Sequence, residues 1–224
     1  MNLGVCVSGV GYGLMTTLVR EWLRGGLVDL DFSVKANGVE FFLPPGRFHV
    51  AYEEAHALLV ENERFRGSET RPQIWDGFED YLARFFALED HFSDLLEGQP
   101  LIHRLWLGGS YVSSKVNPSN IDVAVLVNAP GEERIKGKPR AGWMTRAFDR
   151  HVVLPDFRVS SLRISYRPVR SVFKSRTLAA EDQDYLRERG AWDDWWQRCR
   201  PPGAKGAPTL ESAEPRRGYL EVAP

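Results

Sequence analysis

The run Leu101-Ile102-His103-Arg104-Leu105-Trp106-Leu107-Gly108-Gly109-Ser110, followed after nine intervening residues by Asn120-Ile121-Asp122-Val123-Ala124-Val125-Leu126-Val127, decides the fold. Leu101–Leu107 reads as a strand that ends in a Gly-Gly-Ser turn. Ile121–Val127 is the most strongly β-branched run of the chain, and its near-continuous apolarity is that of a central strand. Alternate residues of a strand share a face, so Asn120 and Asp122 are neighbours while Ile121, Val123 and Val125 point the other way, into a core. Gly108 and Gly109 let the backbone approach a ligand closely. Their N–H groups and the Ser110 hydroxyl suit phosphate oxygens, and a carboxylate beside them suits a hard divalent cation that also binds the phosphates.

Working outward towards the N-terminus, the apolar period predicts a long helix over Thr70–Glu97, with Ile74, Phe78, Leu82, Phe85, Leu88, Phe92 and Leu95 every three or four residues. Thr70-Arg71-Pro72-Gln73 has the form of a capping box with Pro in the first turn, and Gly98 and Pro100 stop the helix. A further helix is expected over His49–Phe65, a turn-forming break at Phe41–Gly46, a strand over 27–35 and a helix over 14–24. Towards the C-terminus, residues 129–140 read as a loop rich in Gly, Pro and charge, 141–151 as a helix, and Phe157–Tyr166 as an alternating strand. Residues 179–199 read as a second strong helix carrying Tyr185, Leu186, Trp192, Trp195 and Trp196. Pro201–Arg217 reads as a linker and Gly218–Val222 as a last short strand. The expected fold is α/β (α+β): a small mixed sheet of roughly four to six strands with helices packed mainly on one face.

The chain has 224 residues, 43% hydrophobic and 26% charged, enough apolar material for one real core. Twenty-nine Lys and Arg balance thirty Asp and Glu for a net charge of −1, which excludes a generally basic coat protein or an acidic tail. Two cysteines, Cys6 and Cys199, exclude a disulfide framework and a cysteine-rich zinc site. No stretch approaches the ~20 apolar residues of a membrane span, and the Gly-broken first residues do not read as a signal peptide. A cytoplasmic protein with no membrane partner is expected. The charge is uneven: Arg134–Arg176 holds twelve basic residues against Asp149 and Asp156, while the first hundred residues lean acidic. Such a block attracts anions, an RNA or an acidic partner, unless its charges pair with the acidic half.

Several motifs fail. Gly131–Lys138 is one residue too long for a phosphate loop, and Pro139 replaces the hydroxyl residue. Gly9–Gly13 is a poor dinucleotide fingerprint, Ser8 lacks the glycines of a nucleophile elbow, and no two of the five His sit four apart as a zincin helix needs.

What survives, the hydrophobic run with Gly-Gly-Ser followed by Asn120-x-Asp122, resembles the Gly-Ser … Asp-x-Asp signature of the polymerase-β-like nucleotidyltransferase superfamily. More closely, the chain is similar to a family of short bacterial nucleotidyltransferase-like proteins. The resemblance rests on Leu43-Pro44-Pro45-Gly46-Arg47-Phe48-His49, Gly109-Ser110-Tyr111-Val112-Ser113-Ser114-Lys115, Pro118-Ser119-Asn120-Ile121-Asp122, and Trp195 with Arg217–Val222. It covers Asn37 to the end, so residues 1–36 form an extension outside it. Residues 37–200 form the nucleotidyltransferase-like domain, with its core at 101–166, and 201–224 the linker and last strand.

The resemblance implies that Gly108, Gly109, Ser110 and Lys115 bind the nucleotide. Asp122, Asn120 and Asp156 would be the metal-binding and catalytic set, Asp156 being the candidate for a third carboxylate on a later strand. The implied chemistry is transfer of NMP from an NTP to a protein or RNA hydroxyl, with Mg²⁺ (or Mn²⁺) clamping the phosphates and the Arg134–Arg176 block drawing in the anions. Asn120 stands where the first metal carboxylate belongs and brings no negative charge, which weakens metal binding. The alternative is a non-catalytic nucleotide- or partner-binding subunit, such as a toxin–antitoxin or defence component.

Overall fold

Ile121–Asn128 is β-branched throughout on one side, while Asp122, Ala124, Leu126 and Asn128 alternate on the other, and the sheet is organised around this strand. The structure, a computed structural model, describes residues 41–173, 175–199, 209–214 and 216–224. The helix expected over 14–24 and the strand expected over 27–35 lie outside the described residues. Five strands are present among the described residues: β1 (Gly46–Val50), β2 (Ile102–Gly108), β3 (Ile121–Asn128), β4 (Val159–Tyr166) and β5 (Gly218–Val222), in the order β1-β5-β2-β3-β4. β2 pairs antiparallel with β3 and β5, whereas β3–β4 and β1–β5 are parallel. Seven α-helices accompany them: α1 (Tyr52–Leu59), α2 (Arg71–His91), α3 (Ser93–Leu96), α4 (Ala129–Ile135), α5 (Trp143–Arg146), α6 (Arg150–Phe157) and α7 (Ala180–Gln197). The fold is α+β with a mixed sheet.

Phe48, Val50, Leu105, Leu107, Ile121, Val123, Val125, Val127, Leu220 and Val222 join one large core with Ile74, Trp75, Phe78, Tyr81, Phe85 and Leu88 of α2. Full burial of each large side chain stabilises by about 1.5–3 kcal/mol. The opposite face carries a smaller cluster, Trp106, Ala124, Leu126, Ile164 and Tyr219, covered by Tyr185 and Trp196 of α7. Among the described residues most helices lie on the first face and α7 on the second.

Several expectations are corrected. His49 belongs to β1, because Arg47 and His49 alternate with buried Phe48 and Val50; the helix there is only Tyr52–Leu59. The long helix breaks at Phe92, whose φ of −109° and ψ of 21° leave the helical region, and α3 follows. Its expected capping box does not form: the Oγ of Ser68 accepts the N–H groups of Thr70 and Arg71 at 3.4 and 3.0 Å, and Thr70 Oγ1 has no partner. Much of the loop expected over 129–140 is α4, since Pro130 stands in the first turn, where its missing N–H is harmless. The helix expected over 141–151 is two shorter ones. Asp149 caps α6 by accepting the His151 N–H at 2.9 Å, so Phe157 ends that helix and the strand starts at Val159. The segment expected as a trailing strand, β5, lies inside the sheet between β1 and β2 with all five residues buried.

Candidate functional site

Strand register brings part of the sequence-predicted site together. Gly108, the last residue of β2, pairs with Asp122 of β3, and Asp122 pairs with Ser160 of β4. Both glycines are required by what lies on them. A Cβ on Gly108 would meet the Trp196 ring at 2.4 Å. Gly109 has a φ of +68°, and a Cβ there would meet Asp122 Oδ2 at 2.0 Å. The Gly-Gly turn therefore cradles a carboxylate and an indole.

The loop that follows is held from behind. Arg71 is fully buried at the start of α2, and its guanidinium donates to the carbonyls of Leu59, Tyr111, Ser113 and Lys115 at 2.8–3.2 Å. The cation also lies 3.6 Å over the Phe65 ring. Burial lowers its pKa to about 10, so it stays protonated and pins residues 111–115 onto the core. This fixes the exit of the Gly-Gly-Ser turn and leaves Ser110 beside Asp122 in one cavity.

That cavity, of about 500 Å³, lies between the end of α7 and the sheet. Asp122 and Ser110 share it with Ser160, Trp192, Trp195 and Arg217. Asn120 Nδ2 donates to Asp122 Oδ1 at 3.1 Å, Ser160 faces this carboxylate from the adjacent strand, and Arg150 donates to the Ser160 hydroxyl. Burial raises the Asp122 pKa, against the lowering effects of Asn120, Ser160, Arg217 and Arg150. Burial lowers the Arg217 pKa, opposed by Cys199 and Asp122 nearby. Arg217 Nε donates to the Trp196 carbonyl at 3.1 Å, and its guanidinium lies 5.8 Å from the centre of the Phe42 ring. Trp196 Nε1 and Arg198 Nε, both on lining residues, are buried with no hydrogen-bond partner among the described residues.

The metal set implied by the resemblance does not assemble. Asp156 is exposed on α6 and absent from the cavity lining; the position facing Asp122 on the adjacent strand belongs to Ser160. Asn120 turns its amide N–H, a donor, towards Asp122, and two arginines lie close enough to act on that carboxylate. Among the described residues no group of three or more His, Cys, Asp or Glu is placed to hold a metal ion. One carboxylate, hydrogen-bonded by an amide and with two arginines in its surroundings, does not fit a two-cation clamp. Lys115 is half-buried and outside the lining, and its carbonyl serves Arg71.

The reading of the sequence missed Arg217, Ser160, Trp192 and Arg150. Ser160 was within reach of it, since the alternation of Phe157–Tyr166 puts Ser160, Leu162 and Ile164 on one face. Nothing local to Arg217 signals that β5 enters the sheet beside β2. The basic block is partly neutralised: Arg134 pairs with Glu97 at 3.0 Å, Arg163 with Glu132 and Arg167 with Glu133. No helix among the described residues is long and apolar enough to cross a membrane.

No curated protein and no solved structure matches the chain significantly. Residues 36–223 match a family described as a family of unknown function, DUF6932, a span that takes in the Gly-Gly-Ser turn, Asp122, α7 and β5. The chain, with the whole of this site, belongs to that family.

Proposed function

We propose that the protein is a nucleotide-binding module on a nucleotidyltransferase-like core, which grips phosphates with arginine rather than with metal ions. The observation that carries this reading is Asp122, seated against Gly109, hydrogen-bonded by Asn120, faced by Ser160 and sharing its cavity with Arg217. In this arrangement guanidinium groups supply the positive charge that cations would supply in a transferase. Arginine suits phosphate because its planar fork donates two parallel hydrogen bonds. Trp192 and Trp195 offer flat faces for a nucleobase, and the unpartnered Trp196 and Arg198 N–H groups offer donors at the cavity wall. A volume of about 500 Å³ is within the range of small-molecule sites.

A second reading, NMP transfer from an NTP to a protein or RNA hydroxyl, is favoured by one observation: Ser110 and Asp122 line the same cavity, as the superfamily pattern requires. Thermal-shift titration with each of the four NTPs, with and without Mg²⁺, separates the two. A ligand at about 100 times its Kd stabilises by ~2.7 kcal/mol. We expect a shift that is independent of Mg²⁺, lost in Arg217→Gln and retained in Asp122→Asn. A shift that needs Mg²⁺ and dies with Asp122→Asn would establish the transferase-type site instead. No shift with any nucleotide would overturn both.

A further inference from the structure

Towards the other end of α7, the same face of the sheet opens a second hollow of about 520 Å³. Arg104 of β2, Arg167 and Arg170 of the segment after β4, and Arg189 of α7 line it. Arg167 pairs with Glu133, and Arg104 Nη1 donates to the His103 carbonyl at 2.7 Å. Arg170 is exposed and Arg189 half-exposed, and no ion pair engages either among the described residues. Glu221 is the one carboxylate in the lining. It is 7% exposed and both of its oxygens are engaged, one by Trp106 Nε1 at 2.7 Å and one by His49 Nδ1 at 2.8 Å.

The hollow also presents flat rings. His103 and Tyr166 stack 3.5 Å apart at 7°, and Tyr185 meets Tyr166 edge-on at 5.6 Å. At the rim, residues 167–173 run Arg-Pro-Val-Arg-Ser-Val-Phe with no acidic residue. Phe173 in that run is 94% exposed and Val172 50%. An aromatic ring left in water among cations has no part in the core. It matches a stacking platform, where bases lie on rings and phosphates on the neighbouring positive charges.

We propose that this hollow and the 167–173 segment bind single-stranded RNA, with phosphates on Arg170 and Arg189 and unstacked bases on Phe173 and the Tyr166–His103 pair. Interleaved rings and guanidinium groups favour this over an acidic peptide, which needs no rings. They favour it over a duplex, whose bases are already stacked. The proposal stands apart from the nucleotide reading, because Arg217 and Asp122 line the other cavity.

Fluorescence anisotropy on the full chain tests it, with an end-labelled single-stranded RNA of about twelve nucleotides titrated at rising salt. Binding should weaken linearly in log–log form. Arg170→Ala with Arg189→Ala should reduce the slope by about 1.4, since each phosphate contact on a single strand contributes about 0.7. Phe173→Ala should weaken binding by about tenfold, the scale of one lost base stack, and Arg217→Gln should leave it unchanged. Variants matching the wild-type melting temperature make a loss of binding interpretable, and Phe173→Ala, fully at the surface, keeps the test open if the double variant misfolds. Absence of binding at low salt would overturn the proposal. So would binding that survives both variants, equal affinity for a poly-glutamate peptide, or preference for duplex RNA.

Discussion

The two faces of the sheet are built from the same strands and do opposite work. The face towards α2 is apolar along its central strands, with Leu105, Leu107, Ile121, Val123 and Val125 at zero exposure, while β4 at its edge adds Ser161, Arg163 and Ser165. The face towards α7 carries Arg47, His49, Arg104, Asp122 and Glu221 beside Trp106 and Tyr219, under a single helix. Helix α7 covers the middle of that face and leaves a hollow of about 500 Å³ towards its C-terminal end and one of about 520 Å³ towards its N-terminal end. Burying polar and charged groups costs free energy unless each finds a partner. A well-packed first face supplies stability that lets the second tolerate that cost and keep open space. The lesson is that in this molecule binding chemistry is concentrated where packing is thinnest.

The contrast can be broken most directly at Phe85, which packs against Tyr81, Trp143 and Phe148 with ring centroids 5.4–6.3 Å apart. Phe85→Ala should cost about 3–5 kcal/mol by urea unfolding; a loss below about 1 kcal/mol would mean the first face is not the stabilising one. Next in size is Arg71→Met, expected to cost about 3 kcal/mol, because four backbone carbonyls lose a buried charged donor. Its unfolding midpoint is the readout, and near-wild-type stability would show that the 111–115 loop holds itself.

Gly109→Ala combines a left-handed backbone with a Cβ 2.0 Å from Asp122 Oδ2 and should cost about 2 kcal/mol. The same variant should remove the nucleotide-induced thermal shift, since Asp122 must move. Trp192→Ala sharpens the comparison from the other side. This partly buried indole should cost only about 1 kcal/mol yet abolish the nucleotide shift, whereas Phe85→Ala should keep the shift and lose stability.

The smallest effect concerns pH. Burial and the charges of Arg104 and Arg189 lower the pKa of His103, with Glu221 opposing. The unfolded chain therefore takes up the proton first as the pH drops through about 6.5, so stability falls on acidification and is restored above it. His103→Gln should flatten that part of the melting temperature against pH; an unchanged profile would place the titration elsewhere.

Periodicity along the chain was enough to find β2, β3, α2 and α7, because each is long and buries one continuous face, and a repeat of two or about 3.6 survives in the residue order. It was enough, too, to put Asn120 and Asp122 on one face and to single out the Gly-Gly-Ser turn, since both follow from local geometry. Short elements misled where one residue type serves two structures. Pro130 reads as a loop breaker yet opens α4, and His49 reads as helical within a mixed run yet alternates in β1. The third position of the site was decided by register: β4 presents Ser160 to Asp122 and leaves Asp156 exposed on α6.

Tertiary structure alone decided that β5 enters the sheet between β1 and β2, carrying Arg217 towards Asp122 and Glu221 into the second hollow. Pairing of strands more than a hundred residues apart depends on which edges are free once the rest has packed, and no local repeat encodes that. The chemistry of the turn was written in neighbouring residues. The cations that surround it came from the far end of the chain and from α6, and only folding brings them there.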